Sequence, residues 1–270
     1  MRARVVVLLL LLVGLAVPVS AEAQPWNERI PVGPELTPTP PVRVLFVGDS
    51  ITAGRSGDTS YRYWVWRQFQ DAGVRARFVG TTTGRRGGDG YALTDHGFQP
   101  WHAAKGGTTY ADHLPRVRAL VRHLRPDVIV LGLGFNDVKV ASPARTAARA
   151  RAYLDRVWAV DPDVRVVLNE VTFAARPGSS RRNVRRTRYD ELLREIARSD
   201  RRVEVARVVS GPCPAWDPVV HSFDGIHPNA LGELVVARHV VDALVRADVL
   251  PSYDRAGTPG YATTCAAPAA

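Results

Sequence analysis

Lysine is nearly missing from this 270-residue chain: only Lys105 and Lys139 occur, against a net charge of +10. The positive charge therefore rests on arginines scattered through every segment, which argues against a nucleic-acid-binding face. The densest cluster, Arg181, Arg182, Arg185, Arg186 and Arg188, leads into a segment carrying Asp190, Glu191 and Glu195. No recognition motif accompanies it, so it reads as a solvated basic face, and no nucleic-acid partner is expected. Cysteine is almost as rare, with Cys213 and Cys265 alone, too few to build a zinc site by themselves. No apolar run reaches the ~20 residues a membrane-spanning helix needs; the longest, Val5 to Val17, has thirteen. G-x-S-x-G is absent because Thr52 stands where its second glycine belongs, which excludes the α/β-hydrolase elbow. Gly132-x-Gly134 lacks the third glycine of a dinucleotide fingerprint, and neither H-E-x-x-H nor a Walker sequence occurs. His96, His102, His113, His123, His221 and His239 read as surface, loop or packing residues.

What is present begins with a targeting segment. Arg2 and Arg4 precede the Val5 to Val17 run, and Ala21-Glu22-Ala23 supplies an A-x-A cleavage signal. Residues 1–23 are thus expected to be a signal peptide cleaved near Ala21 or Ala23, the mature protein being secreted without a transmembrane anchor. Residues 24–41 hold six prolines and should form an extended lead-in. The remaining length suits one large domain, here 42–248, followed by a Gly/Pro/Ala-rich tail, 249–270. In an exported chain two cysteines allow one intramolecular disulfide, Cys213 to Cys265, tying that tail to the domain. Closing a loop of that size is worth roughly 4 kcal/mol in the chain-entropy model. A monomer is expected.

Strands and helices then alternate. Val42 to Val47 is a near-continuous β-branched run, the pattern of a buried parallel strand. Further strands are expected at Arg77 to Gly80, Asp127 to Leu133, Val164 to Val171 and Val203 to Val208. Helices are expected at Tyr61 to Ala72, Tyr110 to Leu124, Pro143 to Val160, Thr187 to Ser199 and Asn229 to Ala247. Five strands separated by helices imply an α/β fold, a flavodoxin-like three-layer α/β/α sandwich with a five-stranded parallel sheet in the order 2-1-3-4-5.

Four polar clusters follow strands on the same carboxyl edge, where open α/β sheets bind ligands. They are Gly48-Asp49-Ser50, His102 to Thr109, Gly134-Phe135-Asn136-Asp137 and Asp224-Gly225-Ile226-His227-Pro228. Taken alone, Gly-Asp-Ser is also what a turn with a helix cap looks like; four such clusters on one rim point to a site. A serine hydroxyl needs a base to take its proton, and His227 can serve Ser50. Asp224, three residues earlier across a turn, can accept the other imidazole N–H. The backbone N–H groups of Ser50 and Gly107 and the amide of Asn136 could form an oxyanion hole.

These blocks resemble, in order and spacing, those of the SGNH (GDSL-type) hydrolases. The resemblance runs from about Arg43 to Leu244 and implies a Ser50-His227-Asp224 esterase that needs no metal or other cofactor. Tyr61-Arg62-x-Trp64, Arg77-Phe78-Val79-Gly80 and Asp224 to Asn229 resemble secreted carbohydrate esterases of family three, which include acetyl xylan esterases. Two positions depart from the pattern: Phe135 stands where Thr is commoner, and Lys105-Gly106-Gly107 lacks a Ser before the Gly. The expected partner is an ester substrate, an acetylated polysaccharide first of all. A lipid or short-chain ester hydrolase, and a binding module that kept the fold without the activity, are the alternatives.

Overall fold

The computed structural model describes residues 40–84, 91–92, 95, 97–211 and 215–252. Residues 1–23, expected to be a signal peptide, nearly all of the proline-rich 24–41 segment, and both Cys213 and Cys265 of the expected disulfide lie outside the described residues.

The first strand, β1 (Val42–Gly48), runs into a one-turn helix α1 (Ser50–Ala53), followed by α2 (Tyr61–Asp71), β2 (Ala76–Val79) and a two-residue strand β3 (Ala103–Ala104). Next come α3 (Tyr110–His113), a 3-10 turn (Leu114–Arg116), α4 (Val117–Leu124), β4 (Val128–Gly132), α5 (Asp137–Val140) and α6 (Pro143–Trp158). The chain closes with β5 (Arg165–Asn169), α7 (Ser180–Ser199), β6 (Val203–Ala206) and α8 (Ala230–Arg246).

The sheet order is β2-β1-β4-β5-β6, all parallel, with β3 paired to the end of β1. Leaving β3 aside, this is the expected 2-1-3-4-5 order. The sheet has six strands rather than five because Ala103–Ala104 is too short and too weakly apolar to read as a strand; it pairs with Val47 and Gly48.

Strand alternation divides the core in two, since successive side chains point to opposite faces. Leu45, Val47, Ile129, Leu131, Val166 and Leu168 pack beneath residues of α4, α6 and α7 such as Val121, Tyr153, Leu154 and Leu193. Val44, Phe46, Val128, Val130 and Val167 face α2 and α8 through Tyr61, Phe69, Val240 and Leu244. Each such aliphatic or aromatic side chain contributes roughly 1.5–3 kcal/mol on burial. The two layers make the three-layer α/β/α sandwich.

Two helices differ from the expectation by more than a residue or two at their ends. The helix expected over Tyr110 to Leu124 is broken into α3, the 3-10 turn and α4, because Pro115 has no N–H to continue the ladder. The helix expected from Thr187 begins at Ser180 instead, so all five clustered arginines are helical. Arg186 among them is 1% exposed, which corrects the reading of the whole cluster as a solvated face. Among the described residues no helix is long and apolar enough to cross a membrane.

Candidate active site

β1 delivers its last residues to the carboxyl rim between the β2 side and the β4 side, where successive crossovers diverge. Gly48 is required there: a Cβ on it would lie 2.1 Å from Thr52 Oγ1 and 2.8 Å from the Gly132 carbonyl. Asp49 then caps α1 by accepting from the Ile51 N–H at 3.0 Å. Ser50, the first residue of that turn, is thereby held at the strand end with its side chain facing the rim.

The segment Asp224 to Pro228 reaches the same place from the other side. An antiparallel bridge between Ser222 and Pro228 closes the loop, and the Ala175 N–H donates to the Gly225 carbonyl at 2.8 Å. Within it, Asp224 Oδ1 accepts from the N–H groups of Ile226 (3.0 Å) and His227 (2.8 Å). Asp224 Oδ2 lies 2.8 Å from His227 Nδ1, and His227 Nε2 lies 3.0 Å from Ser50 Oγ. Partial burial would push the Asp224 carboxyl up, but the N–H groups and imidazole of His227 and the Ile226 N–H together bring it down to about 2. An anionic acceptor at Oδ2 fixes the proton of the neutral imidazole on Nδ1 and leaves the Nε2 lone pair for the serine hydroxyl.

The third wall is built from the β3–α3 and β4–α5 connections. Asp137, fully buried, accepts from the Tyr110 N–H (3.1 Å) and from Arg149 Nη1 (3.0 Å). That ties the turn before α3 to the one before α5. Asn136 Nδ2 donates to the Thr108 carbonyl at 3.1 Å and to Asp49 Oδ2 at 3.2 Å, which puts its amide beside both Ser50 and Gly107. Gly107 has φ 78°, a backbone conformation that favours glycine, and the Cβ position of Gly106 is 3.7 Å from Ser50 Cβ. The five residues expected from the sequence, Ser50, Gly107, Asn136, Asp224 and His227, thus converge on one rim.

Other members of the site carried no readable sequence signal. Arg176 donates from Nη2 to Asp224 Oδ2 and from Nε to the Asp224 carbonyl, both at 2.8 Å. Phe223 stacks on the His227 ring at 5.9 Å between centroids, and Arg55 lies 4.4 Å from the centre of that phenyl ring. With Ser50, Ile51, Pro228 and the buried Glu233, these two residues line a cavity of about 180 Å³. By contrast, the aromatics Tyr91 and Phe98 are engaged elsewhere. Phe98 packs among Tyr63, Trp66, Phe78 and Tyr91, and the Tyr91 hydroxyl accepts from Arg62. Trp101 remains 44% exposed.

The family model described as GDSL-like Lipase/Acylhydrolase matches residues 46–234, the span that holds all four blocks. The chain belongs to the GDSL-like lipase/acylhydrolase family. It is a carboxylic ester hydrolase of the SGNH type. Among solved structures, this GDSL-like chain is similar to a carbohydrate esterase of family 3 from Talaromyces cellulolyticus, at 22% identity over 76% of this chain and 97% of that one, with a TM-score of 0.64. A family 3 carbohydrate esterase from Clostridium thermocellum is 21% identical over 76% of this chain and 96% of that one, with a TM-score of 0.60. A serine-to-alanine mutant of an acetyl esterase, solved with an acetate ion, is 21% identical over 77% and 99%, with a TM-score of 0.64. At such identities the likeness establishes the fold. No curated protein sequence matches the chain.

Proposed function

We propose that this chain is an exported serine esterase that removes O-acetyl groups from a polysaccharide. The observation that carries the reading is the unbroken line of contacts from Ser50 Oγ through His227 to Asp224, at 3.0 and 2.8 Å. Ser50 is the nucleophile. His227 Nε2 takes the hydroxyl proton as Ser50 Oγ bonds to the ester carbonyl carbon. The imidazolium that forms is held by the Asp224 carboxylate. The carbonyl oxygen becomes an oxyanion, stabilised by the N–H groups of Ser50 and Gly107 and by Asn136 Nδ2. His227 then gives the proton to the leaving alcohol as the acyl–oxygen bond breaks. Water repeats the sequence on the acyl-enzyme, releasing the acid and returning the proton to Ser50.

The substrate class is supported by three features. The cavity beside Ser50, at about 180 Å³, is below the ~300–1,000 Å³ of pockets for drug-sized ligands, which suits a short acyl group. The half-exposed Phe223 stands beside His227, an aromatic side chain at the site for a sugar ring to meet. The family 3 carbohydrate esterases and the acetyl esterase among the structural neighbours point to the same chemistry. The signal-peptide pattern of residues 1–23 supports export to where such polymers occur.

The test is acetate release from a panel of acetylated glycans by the purified protein, with Ser50→Ala as control. Release from at least one glycan, lost in Ser50→Ala, supports the reading. Hydrolysis of small acetate esters with no release from any glycan would reject the polysaccharide as substrate.

A further inference from the structure

Phe135, the position at which this chain departs from the usual third block, lies beside its second lysine, Lys139. Lys139 lies one helical turn after Asn136, and its N–H donates to the Asn136 carbonyl at 3.2 Å. That turn swings the side chain back: Lys139 Nζ donates to Asn136 Oδ1 at 2.7 Å. The ammonium is also 5.0 Å from the centre of the Phe135 ring, over which the buried Arg186 guanidinium lies at 4.0 Å. Asn136 is thus held at every polar atom of its side chain. Its oxygen takes a cation, and its nitrogen faces the Thr108 carbonyl and Asp49 Oδ2.

This local crowding of like charges is electrostatically unfavourable. Burial first, and then Arg186, Arg182 and Arg176, push Lys139 below the usual lysine range, with Asp49 pulling it back. The chain uses lysine at only two positions, and one of them is kept among arginines with its charge on the amide oxygen. A cation on Oδ1 polarises the amide and strengthens its N–H groups as donors. It also anchors the oxygen, so that a Nδ2 hydrogen can turn from Asp49 or Thr108 to an incoming oxyanion without the side chain swinging away.

Building on the oxyanion role proposed for Asn136, we propose that Lys139 is a positioning residue for the ester hydrolysis. It acts through Asn136 Oδ1 to orient and polarise the amide, and Phe135 provides the surface on which it rests. It touches neither Ser50 nor substrate. Its contribution is therefore felt where charge develops on the carbonyl oxygen, in kcat, with little effect on KM.

A double-mutant cycle on hydrolysis of p-nitrophenyl acetate tests this. Lys139→Met should lower kcat about tenfold with KM changed less than twofold, a loss in keeping with a hydrogen bond to a charged group. Lys139→Arg, which keeps a cationic donor, should recover most of it. In an Asn136→Ala background, Lys139→Met should have almost no further effect. The melting temperature of each single variant is read alongside, and relieving the crowding of Lys139 with its arginine neighbours should not lower it. Unchanged kcat in Lys139→Met, or the same fold-loss with and without Asn136, would overturn the role of Lys139 while leaving Ser50, His227 and Asp224 untouched. Unchanged kcat in Asn136→Ala would overturn both this inference and the oxyanion role of Asn136.

Discussion

Asp224 grips His227 at two points with one carboxylate: Oδ1 takes the backbone N–H and Oδ2 faces the ring Nδ1, each at 2.8 Å. The three-residue separation makes this possible, since Gly225, at φ 80°, turns the chain back on itself. Rotating the imidazole would break its contact with Oδ2, while the turn beneath it stays held through Oδ1. Arg176 adds a third contact from outside, on the solvent side of the carboxylate.

Asp224→Asn should keep the turn but present an amide where the ring N–H needs an anionic acceptor, favouring the wrong tautomer. A loss of about 10³–10⁴ in kcat is expected. Arg176→Ala removes a half-exposed partner and should cost under ~1 kcal/mol. Steady-state kinetics on a small acetate ester compares the two. Equal losses would mean that Asp224 matters for holding the loop rather than the imidazole.

Stability should fall as pH rises from about 5 to about 8. Burial pushes Asp49 up to about 7, and pushes Asp190 and Glu233 well above the ordinary carboxylate range. Each binds its proton in the folded state at pH values where the unfolded chain has lost it, so the stabilisation present below about 4 is lost as pH climbs through the folded value. Asp224 works the other way, its contribution disappearing only in strong acid. Burial of His113 and His221 opposes the trend near neutrality, but three fully buried carboxyls outweigh two partly buried imidazoles. Thermal melts at a series of pH values give the answer; a melting temperature that rises over this range would contradict it.

Acyl length should be strongly discriminated. The cavity lined by Ile51, Phe223, Pro228 and Glu233 is small and has a buried carboxyl in its wall. Each methylene beyond what fits costs up to about 1–3 kcal/mol. kcat/KM should drop at least ~100-fold from p-nitrophenyl acetate to the octanoate ester. Equal or better hydrolysis of octanoate would favour a lipid or long-chain ester substrate.

The sheet order was legible because the central strands β1, β4 and β5 are rich in β-branched residues, and the first and third blocks because they follow β1 and β4 directly. The second and fourth blocks lie farther along the chain and were legible from their residue types alone. Other features depend on contacts that spacing does not encode. Ala103–Ala104 is a strand only because it lies against Val47–Gly48. The start of α7 is masked by its arginines, whose one buried member, Arg186, is stabilised over Phe135 far away in sequence. Asp137 was visible as part of a block, yet its task, joining the turns before α3 and α5, required Tyr110 and Arg149 to be in place. Phe223 takes its place through contact with the His227 ring, whereas Phe98 packs against the core, a difference that spacing does not encode.

The role of Ser50 can be read without any substrate. A p-nitrophenyl dialkyl phosphate releases nitrophenolate when a nucleophilic oxygen attacks its phosphorus, leaving a stable dialkylphosphoryl ester on the enzyme. Intact-mass measurement should show one such group added per chain as activity falls to zero, and peptide mapping should place it on Ser50. Ser50→Ala should take up none while keeping a melting temperature near that of the parent. Modification at another residue, or full esterase activity in the quantitatively modified protein, would contradict the assignment of Ser50 as the nucleophile.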